Sequence, residues 1–304
     1  MKKIQTEFTE MIDVAYPIIG APMFLLSYEE LVIAVAEAGG LGAVPLPNFR
    51  TIDDLNYTLT KIREKTDKPI GVNIHLSGRF PWKEPLALCL DAGVKLFITS
   101  LGDPRLILDD VHASGGKVFA DVITLEQGLK SRDCGVDGLV AVAAGAGGHG
   151  GAIPTIVLVP YLRAKTGLPI IAAGGISNGS QMAAAVAIGA CAVITGTRLI
   201  ATPEARARDA YKRAVIEAAP DDIVSSDRVT GYRANWLSKS IEDFNKLPER
   251  WSNGWVKAWR DLWSAGQSVA QAEEIKPAGE IIREMVEEYV RVCKELGGSV
   301  PNEE

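Results

Sequence analysis

The sequence predicts an α/β protein, a (β/α)8 barrel carrying a C-terminal helical extension. Three observations predict it. Short apolar runs alternate with helical patterns eight times within the first 219 residues or so. The runs are near-continuously apolar, as expected of strands buried on both faces of a parallel sheet. Glycines cluster where the runs end, at the positions of barrel loops. A doubly wound open sheet usually carries GxGxxG after its first strand, whereas here the turn from Gly20 to Leu25 reads GAPMFL.

Taken in order, Pro17–Met23 is the first strand. Ser27 is then the expected N-cap of a helix over Tyr28–Ala38, with Glu30 completing a capping box, and Gly39 and Gly40 stop it. Leu41–Leu46 is the second strand; Thr51 caps the next helix, with Asp53 and Asp54 in its first turn and Lys65 and Lys68 near its end. Pro69–Leu76 is the third strand, and a loop with Arg79 and Trp82 leads to helix Pro85–Ala92. Val94–Ser100 and helix Pro104–Ser114 follow, then Lys117–Ile123, with Thr124 capping Leu125–Cys134. Asp137–Ala144 is the sixth strand and Ile156–Thr166 its helix. Pro169–Gly175 is the seventh, with Asn178 or Ser177 capping a helix to Ile188. Cys191–Gly196 is the eighth, and Ala205–Ala218 the last amphipathic helix.

The barrel is therefore expected over residues 12–219 and the extension over 220–304. Trp251, Trp255, Trp259 and Trp263 recur at spacing four in the extension, which predicts one face of a helix packed on the barrel or on a second subunit. A homodimer through this segment is the partner arrangement that reading allows. Ala278–Leu296 reads as an amphipathic terminal helix.

Composition narrows the function. With 47% hydrophobic and 23% charged residues the chain is globular, and a net charge of −6 argues against nucleic acid or an anionic membrane as partner. There is no signal-peptide pattern and no run of about 18 apolar residues, so a cytoplasmic protein is expected. Cys89, Cys134, Cys191 and Cys293 show neither CxxC nor zinc spacing and read as reduced thiols.

In such a barrel the active site lies at the C-terminal strand ends. Those ends deliver Ala21, Pro22 and Met23; Asn73 and His75; Asp121; Gly174 and Gly175; Gly196 and Thr197. The sixth delivers Gly145–Gly151, five glycines around His149. The glycine turns after strands seven and eight, with a helix start beside them, predict a phosphate site. His149 is expected to act as general base or as donor to an oxyanion. His75 either lines the site or is a satisfied core histidine, His112 is a surface residue, and Asp121 either contacts a cofactor or caps a turn. No catalytic serine with a base, carboxylate pair or metal cluster can be assembled, which places the chemistry in a bound cofactor.

Several segments together resemble the nitronate monooxygenases, formerly 2-nitropropane dioxygenases: Pro17–Met23, Ala38–Gly42, Gly147–Gly150, Ala172–Ile176 and Gly189–Arg198. The resemblance covers roughly residues 12–240. It implies FMN, with its phosphate on Gly174, Gly175, Gly196 and Thr197, backbone of Ala21, Pro22 and Met23 against the ring, and Asn73 at the ring's polar edge. It also implies Gly147 and Gly148 close to the ring, and His149 as the active-site histidine. The implied reaction is oxidation of alkyl nitronates or nitroalkanes by O2 to a carbonyl compound and nitrite. The family's relatives imply an alternative, an NAD(P)H-dependent FMN reductase of a quinone or enoyl thioester. A non-catalytic phosphate-ligand barrel is a third reading, which His149 opposes. The chain departs from the family where many members carry lysine near Asp121, glutamate near Ala143 and Ala144, and arginine after the histidine. An aspartate cannot stabilise an anionic reduced ring as a lysine does, which implies a different flavin reactivity.

Overall fold

The computed structural model describes residues 2–78, 80–246 and 257–298. Helix α1 (Glu7–Ile12) precedes β1 (Ile18–Gly20), and the units that follow are α2 (Glu29–Glu37), β2 (Leu41–Pro45), α3 (Ile52–Arg63), β3 (Ile70–His75), α4 (Lys83–Asp91), β4 (Leu96–Ser100), α5 (Leu108–Ala113), β5 (Lys117–Val122), α6 (Leu125–Cys134) and β6 (Gly138–Val142). The chain continues through β7 (Gly148–His149), α7 (Thr155–Thr166), β8 (Ile170–Ala173), α8 (Gly179–Ala187), β9 (Ala192–Thr195), α9 (Thr197–Ile200) and α10 (Asp209–Glu217). Strands β1 to β6, β8 and β9 form a closed parallel barrel, sealed where Ile19 pairs with Ile194. The predicted (β/α)8 class is the observed one.

The barrel is filled from one end. Phe8 of α1 is fully buried and meets Phe119 of β5 edge to face, with ring centroids 6.4 Å apart. Around them Leu41, Leu96, Val140 and Ile171 complete an interior apolar plug. The chain before residue 12 thus stoppers the N-terminal end of the barrel, a role absent from the sequence reading. Its cap explains why the helix forms: the Thr6 and Thr9 hydroxyls each accept the other's backbone amide.

Side-chain caps set several of the other boundaries. Thr51, Thr124 and Asn178 accept the amides of Asp54, Gln127 and Gln181, as their sequence contexts predict. Ser27 is a correction. Helix α2 starts at Glu29 behind Tyr28 with no side-chain cap. The Ser27 hydroxyl donates to Ala21 O at 2.8 Å and accepts from Met23 N at 3.0 Å, so it fixes the turn after β1 instead.

The extension is not a simple appendage. Strands β10 (Ile223–Ser226) and β11 (Ala234–Leu237) form an antiparallel sheet with β7, and α11 (Ser238–Lys246) follows. The terminal helix Ala278–Gly298 packs on α8 and α2. Its contact with α8 is so close that a Cβ on Gly179 would sit 2.3 Å from Met285 O. Among the described residues no helix is long and apolar enough to cross a membrane. All four cysteines are unpaired; burial pushes the thiols of Cys89 and Cys191 up to about 12, which leaves both inert.

The tryptophan helix is also corrected. Trp251 and Trp255 lie outside the described residues. Trp259 and Trp263 lie on an irregular turn, where Ala258 bridges to Leu262 and Trp259 has φ of 62°. Spacing four here reflects two separate packing jobs: Trp263 stacks on Tyr211 at 5.2 Å, and Trp259 sits 5.1 Å from the His149 ring.

Candidate active site

The strand ends converge on one cavity of about 300 Å³, a size suited to a small-molecule ligand. Ala21, Pro22, Met23, Asn73, Asp121, Gly147, Gly148, His149, Gly174, Gly175, Gly196 and Thr197 all line it. Residues far apart in sequence are collected because each lies near or beyond the C-terminal end of a barrel strand.

The cavity has three parts. Its middle is apolar, walled by Ile98, Val140, Val142 and Ile194. Its polar edge is a hydrogen-bonded chain across three adjacent strands. The Asn73 amide group donates to Ile98 O at 3.1 Å and to Ser100 Oγ at 2.7 Å, and the Ser100 hydroxyl donates to the Asp121 carboxylate. Both Asn73 protons are thereby spent, leaving its Oδ1 as the acceptor. Burial pushes the Asp121 carboxyl up to about 6, with the Ser100 bond pulling the other way. Asp121 therefore does not cap the following turn; Thr124 does that.

The third part is the glycine end. Gly174 and Gly175 have φ of 120° and 75°, which an L side chain rarely adopts. A Cβ on Gly174 would also meet Ala146 N at 2.8 Å, whereas Gly175 faces open space. The amides of Gly175, Gly196 and Thr197 have no protein acceptor among the described residues. The expected contribution of the following helix start is different from prediction. The first amide of α8, on Gly179, donates to Glu288 Oε2 at 2.9 Å, so the terminal helix satisfies it.

The glycine–histidine loop is more structured than its composition suggests. His149 pairs with Ala234 and Gly148 with Asn235, making β7 the edge of the small sheet. Gly147 is needed for approach to backbone, since its Cβ would sit 3.0 Å from Gly266 N. The His149 ring is flanked edge-on by Tyr232 at 5.7 Å and Trp259 at 5.1 Å. Its Nε2 lies 2.9 Å from Thr230 Oγ1, and the single Thr230 proton goes to Tyr232 O at 3.2 Å. Thr230 therefore accepts at Nε2, and Nδ1 is the basic atom of the neutral ring. Burial, and secondarily the charge of His75, hold the imidazole below its ordinary range.

His75 falls outside the cavity. Its Nδ1 lies 3.0 Å from Ser77 Oγ and its ring packs on Phe80 at 5.4 Å. His112 is on the surface, 2.8 Å from Asp137. Sequence reasoning missed Ser100, Tyr211, Trp259, Ser264 and Ser268, which also line the cavity. Ser100 was legible, being two residues beyond the inward-facing Ile98. The other four come from beyond the eighth strand, through contacts that no local pattern encodes. The Ser264 hydroxyl accepts from Gly148 N at 2.6 Å and donates to Asn235 O, and the Asn235 amide holds Ala144 O and Ala146 O. Among the described residues no cluster able to hold a metal occurs.

The chain matches the nitronate monooxygenase family model over residues 5–83 and 78–250. It is 32% identical to an octahydroindene-carboxyl-CoA dehydrogenase of Mycobacterium tuberculosis, over 75% of this chain and 65% of that enzyme, so the match spans just under two thirds of that relative. It is 28% identical to a nitronate monooxygenase of Pseudomonas aeruginosa, over 92% of this chain and 98% of that one. The solved structure of FabK from Thermotoga maritima superposes with a TM-score of 0.88 at 30% identity, covering 98% of this chain and all of that one.

Proposed function

The chain belongs to the nitronate monooxygenase family, and from that membership we propose that it binds FMN in this cavity. We propose further that it oxidises alkyl nitronates, and the nitroalkanes from which they form, with O2 to a carbonyl compound and nitrite. The observation that carries the reading is the division of the cavity. A neutral, amide-rich end suits a phosphate, an apolar middle suits a flat ring, and a histidine stands at the mouth. The open space at the Gly175 Cβ position, beside amides without protein acceptors, is the fit expected for an anion held on backbone.

When bound, the flavin supplies an electron acceptor that oxygen can reoxidise. The chain's own residues do the rest. Asn73 Oδ1 accepts a hydrogen bond at the polar edge and orients the ligand. The apolar walls keep water from the reacting face. His149, neutral at physiological pH, takes the α-proton of a nitroalkane at Nδ1 while Thr230 holds its tautomer. A nitronate arrives already deprotonated and needs only the hydrogen bond.

A second reading, an NAD(P)H-dependent FMN reductase acting on an enoyl thioester or quinone, draws on the similarity to FabK and to the CoA-thioester dehydrogenase. Anaerobic mixing of the flavin-loaded protein with propyl nitronate and, separately, NADH decides between them. Bleaching by nitronate and not by NADH is expected; the reverse overturns the assignment. For a nitroalkane, the acid limb of kcat/KM should fall below 6.5, the ordinary imidazole value.

A further inference from the structure

Two hydroxyls meet at the glycine end of the cavity. Ser177 Oγ and Ser268 Oγ lie 2.8 Å apart, and both residues are buried. One bond between two hydroxyls spends one proton and leaves one. No second acceptor takes it among the described residues. Ser177 is fully enclosed while Ser268 lines the cavity, so the remaining proton can be satisfied only from the cavity side.

Thr197 repeats the pattern. Its Oγ1 accepts from Gly266 N at 2.9 Å, and its own proton has no protein acceptor among the described residues. A buried donor left unpaired forfeits its hydration with nothing in return. Two such hydroxyls beside the unpaired amides of Gly175 and Gly196 call for a ligand group with several acceptor atoms and no donors. Among the described residues no Lys or Arg lines the cavity. The nearby Arg198 is committed elsewhere, to Ser177 O at 3.1 Å and Glu284 at 2.7 Å.

Resting on the FMN reading, we propose that Ser268, carried in by the C-terminal segment, donates a hydrogen bond to the terminal phosphate and completes a cation-free cradle. The segment is laced in place: Gln267 N donates to Gly145 O at 3.0 Å, and a Cβ on Gly266 would lie 2.4 Å from that oxygen. The extension therefore contributes to the cofactor site directly, and the barrel alone leaves the cradle incomplete.

The test is titration of flavin-free protein with FMN, riboflavin and inorganic phosphate, followed by flavin fluorescence and, for phosphate, by its competition with FMN. Ser268→Ala should weaken FMN about tenfold, the scale of one charge-assisted hydrogen bond, leave riboflavin unchanged, and weaken phosphate competition. Equal loss for FMN and riboflavin, or no loss for FMN, overturns the proposal. Ser177→Ala keeps the Ser268 hydroxyl and should retain the preference for FMN over riboflavin; if that preference vanishes, Ser268 is not the donor. Wild-type protein that binds neither flavin sinks the FMN reading, whereas tight FMN binding indifferent to Ser268 sinks only this step.

Discussion

The two ends of the barrel use the same eight strands for opposite purposes. At the N-terminal end the interior is filled: a Cβ on Gly138 would stand 2.1 Å from the Phe119 ring, so this glycine exists to admit a side chain. At the C-terminal end Gly175 has nothing within 4 Å of its Cβ position, so this glycine keeps space open for something else. The same residue type stabilises one end through packing and spends stability at the other to make a site.

If the ends are separable, each can be broken without the other. Phe8→Ala empties the plug and should cost about 4 kcal/mol of stability. It should leave FMN affinity unchanged, as measured by chemical denaturation and flavin titration on the same sample. A parallel loss of FMN affinity would show that the plug also shapes the site. His149→Ala is the converse. It should lower nitroalkane turnover by about 10²- to 10³-fold, the usual scale for a general base, with the melting temperature and flavin spectrum retained. Turnover near the wild-type level would remove His149 from the mechanism.

Legibility in the sequence follows the same division. The barrel was readable because each strand is a local, mostly apolar run and several helices have a local cap, such as Thr51 or Thr124. The site was readable where it sits at a strand end, since strand polarity alone collects Ala21, Asn73, Asp121 and Gly175 at one mouth. What escaped was contributed across distance. Phe8 finds its purpose only against Phe119, and Ser268 only against Ser177 and the cavity. The tryptophan spacing is no helix signal at Trp259 and Trp263, where four residues without a cap fold into an irregular turn. Ser27 misled because its hydroxyl had a better offer from the turn before it than from the helix after it.

The finest version of the comparison lies within β5. Phe119 and Asp121 are two residues apart and face the same interior, one in the plug and one in the cavity. Among the described residues no cation lines the cavity to balance Asp121, and burial holds its carboxyl at about 6 against an ordinary 3.8. The fold thus binds that proton more tightly than the unfolded chain does. Its contribution to stability is fully present below pH 4 or so and is lost as pH rises through about 6. Above that the carboxylate is a burden of about 3 kcal/mol, the order set by a two-unit shift that already includes the Ser100 hydrogen bond. Asp121→Asn keeps the acceptor for Ser100 and removes the charge. It should therefore raise the melting temperature at pH 8 and leave it nearly unchanged at pH 4, with other titrating groups cancelling in the difference. An Asn variant equally shifted at both pH values would mean that Asp121 is already balanced, by a cation or by solvent, and that the cavity is less isolated than its lining indicates.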